Sequence, residues 1–282
     1  MDQLLNLLGY EFVQNAILAG FVIAIVAGVV SPFVVARNMS FAVHALSELG
    51  FTGAAGFILI NLSPILGLLA GSAVTALFIG ALGARVRGRD AVIGLVMAFG
   101  LGLGVLFITL YPKYASEAFA LLFGTINGVS RGDVFFLVAI AVIALAALAV
   151  VYRPLTFATV DPEVAEARGV PVRALGIVFL LILAAAVSEA IQVVGVLLIL
   201  TLLITPGATA ECLTPRPGQA TLYSVGVALF CTIGGILLAL VTNAPVSVFV
   251  TSLSFASYLV ARFAVGPAFQ SRARRGIVAE PL

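Results

Sequence analysis

The stretch FVQNAILAGFVIAIVAGVVSPFVVA, residues 12–36, decides the fold. It carries no ionisable side chain. At 1.5 Å of rise per residue, a helix of this length reaches ~37 Å, enough to cross a ~30 Å hydrocarbon core with some tilt. Working outward, comparable apolar blocks follow at 41–61, 64–84, 91–111, 133–152, 174–188, 190–209, 219–241 and 245–264. The 282 residues are accordingly 62% hydrophobic and 9% charged, where a soluble domain carries about 25% charged residues. The mean hydropathy is +1.25. These figures exclude a soluble enzyme, a disordered chain and a nucleic-acid binder. They predict an all-α, polytopic membrane protein folded as one membrane domain over residues 1–282. The net charge of +2 is too small to call for a polyanionic partner.

The span count turns on the block Ala174 to Ala210, which is too long for one crossing and a tight fit for two. A split near Ser188-Glu189 gives nine spans; no split gives eight. The segment 117–128 is too short to cross and reads as re-entrant or interfacial. Basic residues gather on cytoplasmic loops of membrane proteins. With nine spans and the N-terminus outside, the cytoplasmic side holds Arg37, Arg85, Arg87, Arg89, Arg153, Arg168, Arg173, Arg216, Arg262, Arg272, Arg274 and Arg275. Only Lys113 and Arg131 remain outside. That asymmetry supports an odd number of crossings in a cell membrane, the polar loop 153–173 in the cytoplasm, and a short cytoplasmic tail at 267–282. Met1-Asp2-Gln3 has no basic segment before the first apolar block, so no cleavable signal is expected.

Lys113 is the only lysine, so a Gly-x-x-x-x-Gly-Lys phosphate loop cannot form. Any pumping draws its energy from a partner or an ion gradient, and the chain itself is read as a transport component rather than an enzyme. Cys212 and Cys231 stand in or beside apolar stretches and read as packing residues. Gly53-x-x-Gly56, Gly67-x-x-x-Gly71 and Gly100-x-Gly102-x-Gly104 read as faces where helices approach closely.

Ionisable groups inside a bilayer are costly and are functional candidates by default. His44, Glu48 and Glu189 stand out, with Asn127, Gln192 and Asn243 as milder cases. His44, the only histidine, and Glu48 are four residues apart and share one helical face. An imidazole with a carboxylate suits zinc, and more weakly manganese or ferrous iron. Two donors do not complete a site, but two copies meeting along this helix bring four together. The other reading is an intrahelical pair that satisfies two buried groups. Glu189 sits at the proposed hairpin, either as a solvated turn residue or as a cation-entry group.

The loop Asp161-Pro162-Glu163-Val164-Ala165-Glu166-Ala167-Arg168-Gly169-Val170-Pro171 predicts a short capped helix. Asp161 caps it, Pro162 fits its first position, Glu163 meets the positive dipole end, and Gly169 with Pro171 stops it. It is either a docking element for a soluble partner or a spacer between spans.

From about Phe12 to Phe263 the sequence resembles the ABC-3 permeases that import zinc and manganese. The strongest likeness is Gln192-Val193-Val194-Gly195-Val196-Leu197-Leu198 followed by Leu203-Ile204-Thr205-Pro206-Gly207-Ala208-Thr209-Ala210. It is similar to the family's QxVGxLL…LLxxPAATA, with Gly207 in place of an alanine. Gly53, Gly195 and Pro206 are expected to shape helix packing. Asp161, Pro162, Glu163, Ala165 and Gly169 match the family's coupling helix, which docks into the ATPase. Asp90-Ala91-Val92-Ile93-Gly94 and Leu122-Phe123-Gly124, with Val129-Ser130 and Asp133, add weaker matches, and Ala244-Pro245-Val246 stands where the family has Pro-Thr-Gly. On the second span the family pattern R-x-x-S-x-x-x-D-A-x-S-H-A-x-x-P-G meets Arg37, Ser40, His44, Ala45, Ser47, Glu48, Thr52 and Gly53. His44 takes the aspartate position, Glu48 the histidine position and Thr52 the proline position. One nitrogen and one oxygen donor are thus kept in swapped order. The resemblance implies a type II-like permease fold in an importer for a divalent metal, with zinc favoured and manganese or iron as alternatives. It also implies a separate ATPase that uses ATP, an extracytoplasmic metal-binding protein and a second permease copy, with no permanently bound cofactor. An ATP-independent metal carrier is the alternative from another class.

Overall fold

In the computed structural model of the protein, residues 10–82, 89–110, 130–196, 199–242 and 244–265 are described. The expectations at Asn127, Asn243, Lys113, Arg85, Arg87, 117–128 and the tail 267–282 lie outside them, as does the Gln192 side chain. The helices are α1 Glu11–Ala36, α2 Ser40–Leu59, α3 Pro64–Leu82, α4 Arg89–Leu110, α5 Arg131–Val160 and α6 Pro162–Ala167. They continue as α7 Val172–Val194, α8 Ile199–Leu213, α9 Pro217–Thr242 and α10 Val246–Leu259, the last running into a π-helical turn at Val260–Val265. Among the described residues, eight helices are long and apolar enough to span a membrane, and α8, at 15 residues, is a shorter apolar helix.

Two polar contacts fix the ends of the bundle. At the end where α1 begins, here the upper end, Glu11 Oε1 meets Arg131 Nε at the start of α5 at 2.6 Å. At the lower end, Arg37 Nη1, just past α1, donates to Thr159 Oγ1 near the end of α5 at 3.2 Å. The two helices therefore run parallel. Four crossings, α1 to α4, bring the chain back to the upper end, where α5 begins. Ser130 and Asp133 start α5 with a reciprocal capping box: Ser130 Oγ accepts from Asp133 N–H, and Asp133 Oδ2 accepts from Ser130 N–H.

α1, α2 and α7 form the interior, with 61%, 56% and 67% of their apolar windows buried, against 22% for α4 and α5. Without water to hide from, the helices meet through small residues. Gly53 on α2 lies on the backbone of Gly67 and Gly71 on α3, whereas Gly56, its partner in the sequence pattern, faces Phe107 of α4. Gly100 and Gly104 on α4 pack on Leu49 and Thr52 of α2, whereas Gly102 faces open space.

The structure moves two boundaries. α5 continues to Val160 rather than ending near 152, so residues 153–160 of the expected loop 153–173 are helix. Thr156 and Thr159 help, each donating to the carbonyl four residues back. The expected hairpin at Ser188-Glu189 is absent: α7 runs through it, and Ser188 Oγ donates to Ala184 O within the helix. The break falls at Gly195, whose φ of 83° and ψ of 162° only glycine adopts readily. Glu189, expected in a solvated turn, is 0% exposed. A polar doublet mimicked a turn signal, while the residue that breaks the helix sat seven positions further on.

Candidate functional site: the His44–Glu48 pair

α1 ends at Ala36, and Asn38 takes a left-handed φ of 53°, so α2 starts after only three linking residues. His44 then stands one turn into α2 and Glu48 one turn further, ~12 Å along a ~30 Å helix. Glu48 therefore lies near mid-membrane depth. His44 Nε2 is 3.3 Å from Glu48 Oε1. The imidazole side chain is 34% exposed and the carboxylate 15%. With Nε2 turned to the carboxylate, His44 Nδ1 is buried and has no hydrogen-bond partner among the described residues. The pair is made, yet one donor nitrogen is left over.

The pair belongs to a stripe, Phe41, His44, Glu48 and Thr52, spaced i, i+3, i+7 and i+11 on one face of α2. Its two ends rest on α4: a methyl on Gly94 would meet the Phe41 ring at 3.7 Å, and Thr52 Oγ1 donates to Gly100 O at 2.7 Å. Thr52 also lies 3.0 Å from Glu48 O. Where the resemblance led to a proline, the threonine thus ties the helix carrying the pair to its neighbour. Sequence reading missed this role; a lone hydroxyl at i+4 from an intramembrane carboxylate was the available signal. Behind the pair, Ser72 Oγ of α3 donates to Leu46 O at 2.9 Å and Ser47 Oγ donates to His44 O at 2.8 Å.

Glu189 is not brought to this site. Its neighbour Ile191 packs towards Gly50, with Cδ1 3.7 Å from where a Gly50 methyl would stand. Gly50 lies about 200° around α2 from Glu48, and Glu189 about 200° around α7 from Ile191. The two carboxylates share a depth but face apart, and neither oxygen of Glu189 has a hydrogen-bond partner among the described residues. Among those residues, no three His, Cys, Asp or Glu side chains gather in one copy.

At the lower end the capped helix forms as read. Asp161 Oδ1 accepts from Val164 N–H at 3.0 Å, Pro162 opens α6 and Glu163 lies in its first turn. Gly169 takes a φ of 81° at its end, and Val170 N–H returns to Ala165 O at 3.0 Å. Ala165 is fully buried against the bundle, while Glu163 and Glu166 face outward. Both cysteines are free, Cys231 buried and Cys212 half-buried.

Pro206 and Gly207 on α8 meet α1 at Ser31. Gly207 N–H donates to Ser31 Oγ at 2.8 Å, and Ser31 Oγ lies 3.3 Å from Ile204 O. A methyl on Gly207 would stand 2.6 Å from Ser31 O, which explains the missing alanine.

Comparison with known proteins bears on the fold and the family. The structure superposes on PsaBC from Streptococcus pneumoniae in complex with Fab with a TM-score of 0.84 and 25% identity, covering 93% of this chain and 95% of that one. The manganese transport system membrane protein MntC of Halalkalibacterium halodurans is 33% identical over 212 residues, 75% of this chain and 73% of the relative. The high-affinity zinc uptake system membrane protein ZnuB of Haemophilus influenzae is 25% identical over 231 residues, 82% of this chain and 88% of the relative. The model of the ABC 3 transport family matches residues 9–265, and the chain belongs to that family.

Proposed function

We propose that this permease passes a divalent transition metal inward through a dimer of its own kind, with ATP hydrolysed by a separate ATPase bound at α6. The observation that carries the reading is the His44–Glu48 pair: one nitrogen and one carboxylate donor, partly exposed in one copy near mid-membrane depth. Such a pair is too polar to face lipid. A second copy turned about a two-fold axis covers it and brings the donors to two imidazoles and two carboxylates.

The basic residues support the orientation. Arg37, Arg153, Arg168, Arg173 and Arg216 belong to the lower end, which we assign to the cytoplasm together with α6. The upper end then receives metal from an extracytoplasmic binding protein. A cation resting on four donors replaces part of its hydration shell and is released when the lower side opens. Few donors per copy keep the stop weak enough to leave.

Imidazole with carboxylate favours zinc and also admits manganese. The relative named for manganese is the more similar of the two compared above. We therefore place manganese beside zinc as cargo, and competition between the two ions in uptake assays decides the order. The reading itself is tested with His44→Ala. Uptake of either ion is expected to fall at least about tenfold, with membrane insertion and ATPase capture unchanged. Wild-type uptake in this variant removes the pair from the route.

A further inference from the structure

Movement of α6 has to reach α2 in such a transporter, and one side chain links the helices that flank α6 to the turn that opens α2. Arg37 follows the last residue of α1. Its Nη1 donates to Thr159 Oγ1, two residues before the Asp161 cap of α6, while the Thr159 hydroxyl donates to Leu155 O at 2.7 Å. Its guanidinium carbon stands 5.8 Å over the ring of Phe179 on α7, the helix that follows α6. Gly176, one turn earlier on α7, lies alongside: a methyl there would stand in ordinary contact, 3.7 Å from Arg37 Nη2. Phe33, one turn earlier on α1, meets Tyr152 of α5 edge-on at 5.5 Å and Phe179 at 5.9 Å. Arg37 therefore bridges the helices on both sides of α6.

From the same residue the chain turns directly into α2. Met39 N–H returns to Val34 O at 2.8 Å, Asn38 holds a left-handed φ, and Met39 is buried. The link is short and pinned, so a shift of Arg37 carries the start of α2 with it. His44 is seven residues away.

We propose that Arg37 is a positioning residue that couples α6 to the metal-bearing helix α2, through Thr159 on one side and Phe179 on the other. This rests on the function proposed above. Neither Arg37 nor Thr159 touches the metal pair, so their loss should uncouple the transporter without emptying its site.

The test uses the whole importer in vesicles: permease, its ATPase and its metal-binding protein. Arg37→Ala is expected to keep ATPase capture and basal ATP hydrolysis, while metal ions moved per ATP fall about five- to tenfold. Stimulation of hydrolysis by the loaded binding protein should fall with them. Arg37→Lys keeps the charge and the reach to Thr159 but loses the flat contact with Phe179, so it should recover part of the ratio. Thr159→Val removes only the hydroxyl and should lower the ratio less than Arg37→Ala. If Arg37→Ala does not insert, Thr159→Val alone decides. Unchanged ions per ATP, or a loss confined to the amount of folded protein, overturns the proposal. Failure of the underlying function reads differently: the wild-type permease then neither captures an ATPase nor moves metal.

Discussion

Glu48 and Glu189 are both carboxylates at mid-membrane depth, and their surroundings assign them different fates. Glu48 has an imidazole 3.3 Å away and a partly open face. Glu48→Gln keeps the volume and removes the charge that a cation needs, so uptake should fall about tenfold or more, read as initial rates of metal entry into vesicles. Glu189 is closed in with both oxygens unpartnered among the described residues. A buried polar group in that state costs stability. Glu189→Leu fills similar space without that cost, so it should leave uptake within about twofold and raise the thermal midpoint of the detergent-solubilised permease. A loss of uptake at unchanged midpoint would return Glu189 to the transport route. Position four apart on one helix made His44 and Glu48 legible as a pair before any coordinates. Nothing in the local sequence told that Glu189 is buried, because Ser188-Glu189 has the composition of a turn and only packing against neighbouring helices overrides it.

Helix contacts in this bundle are set by missing atoms as much as by present ones. Gly207 stands on the Ser31 backbone, and its N–H is taken by the Ser31 hydroxyl. Gly207→Ala would push α8 from α1 and strain that bond, for which about 1–3 kcal/mol is expected, seen as a lower unfolding midpoint. Ser31→Ala removes the acceptor without a clash and should cost about 1 kcal/mol. The capping helix α6 was legible residue by residue, since Asp, Pro and Gly at fixed offsets encode its start and stop through backbone geometry alone. The end of α5 was not. Tyr152-Arg153-Pro154 looks like a helix exit by polarity, but residues 153–160 stay helical because Leu155 and Ala158 find buried places against the bundle. Length of a span follows hydropathy; length of the helix follows what its extra turns can pack against.

At the scale of the whole molecule, the face bearing the pair has to be covered by something other than lipid. Along the stripe, Phe41 is 44% exposed and the His44 side chain 34%, while Glu48 is 15% exposed and Thr52 is bonded to α4. Val150 on α5 is more exposed still, at 81%, and towards the membrane interior its face continues through Ile143, Ala146 and Ala147, all apolar, with Arg153 following only on the side of the lower end. Exposure alone therefore does not mark the interface; exposure beside an intramembrane charge does. The proposed dimer rests on that distinction and can be tested without any transport assay. In a background with Cys212 and Cys231 replaced by serine, Phe41→Cys sits one turn from His44 at the expected two-fold axis. Mild oxidation of membranes should convert it to a disulfide-linked dimer in high yield. Val150→Cys, placed towards lipid, should remain monomeric under the same treatment. Adding the bound metal should slow the first cross-link, because cation held by both His44–Glu48 pairs fixes the two stripes. Cross-linking at 150 without cross-linking at 41 would put the axis on α5 and leave each His44–Glu48 pair to act within a single copy.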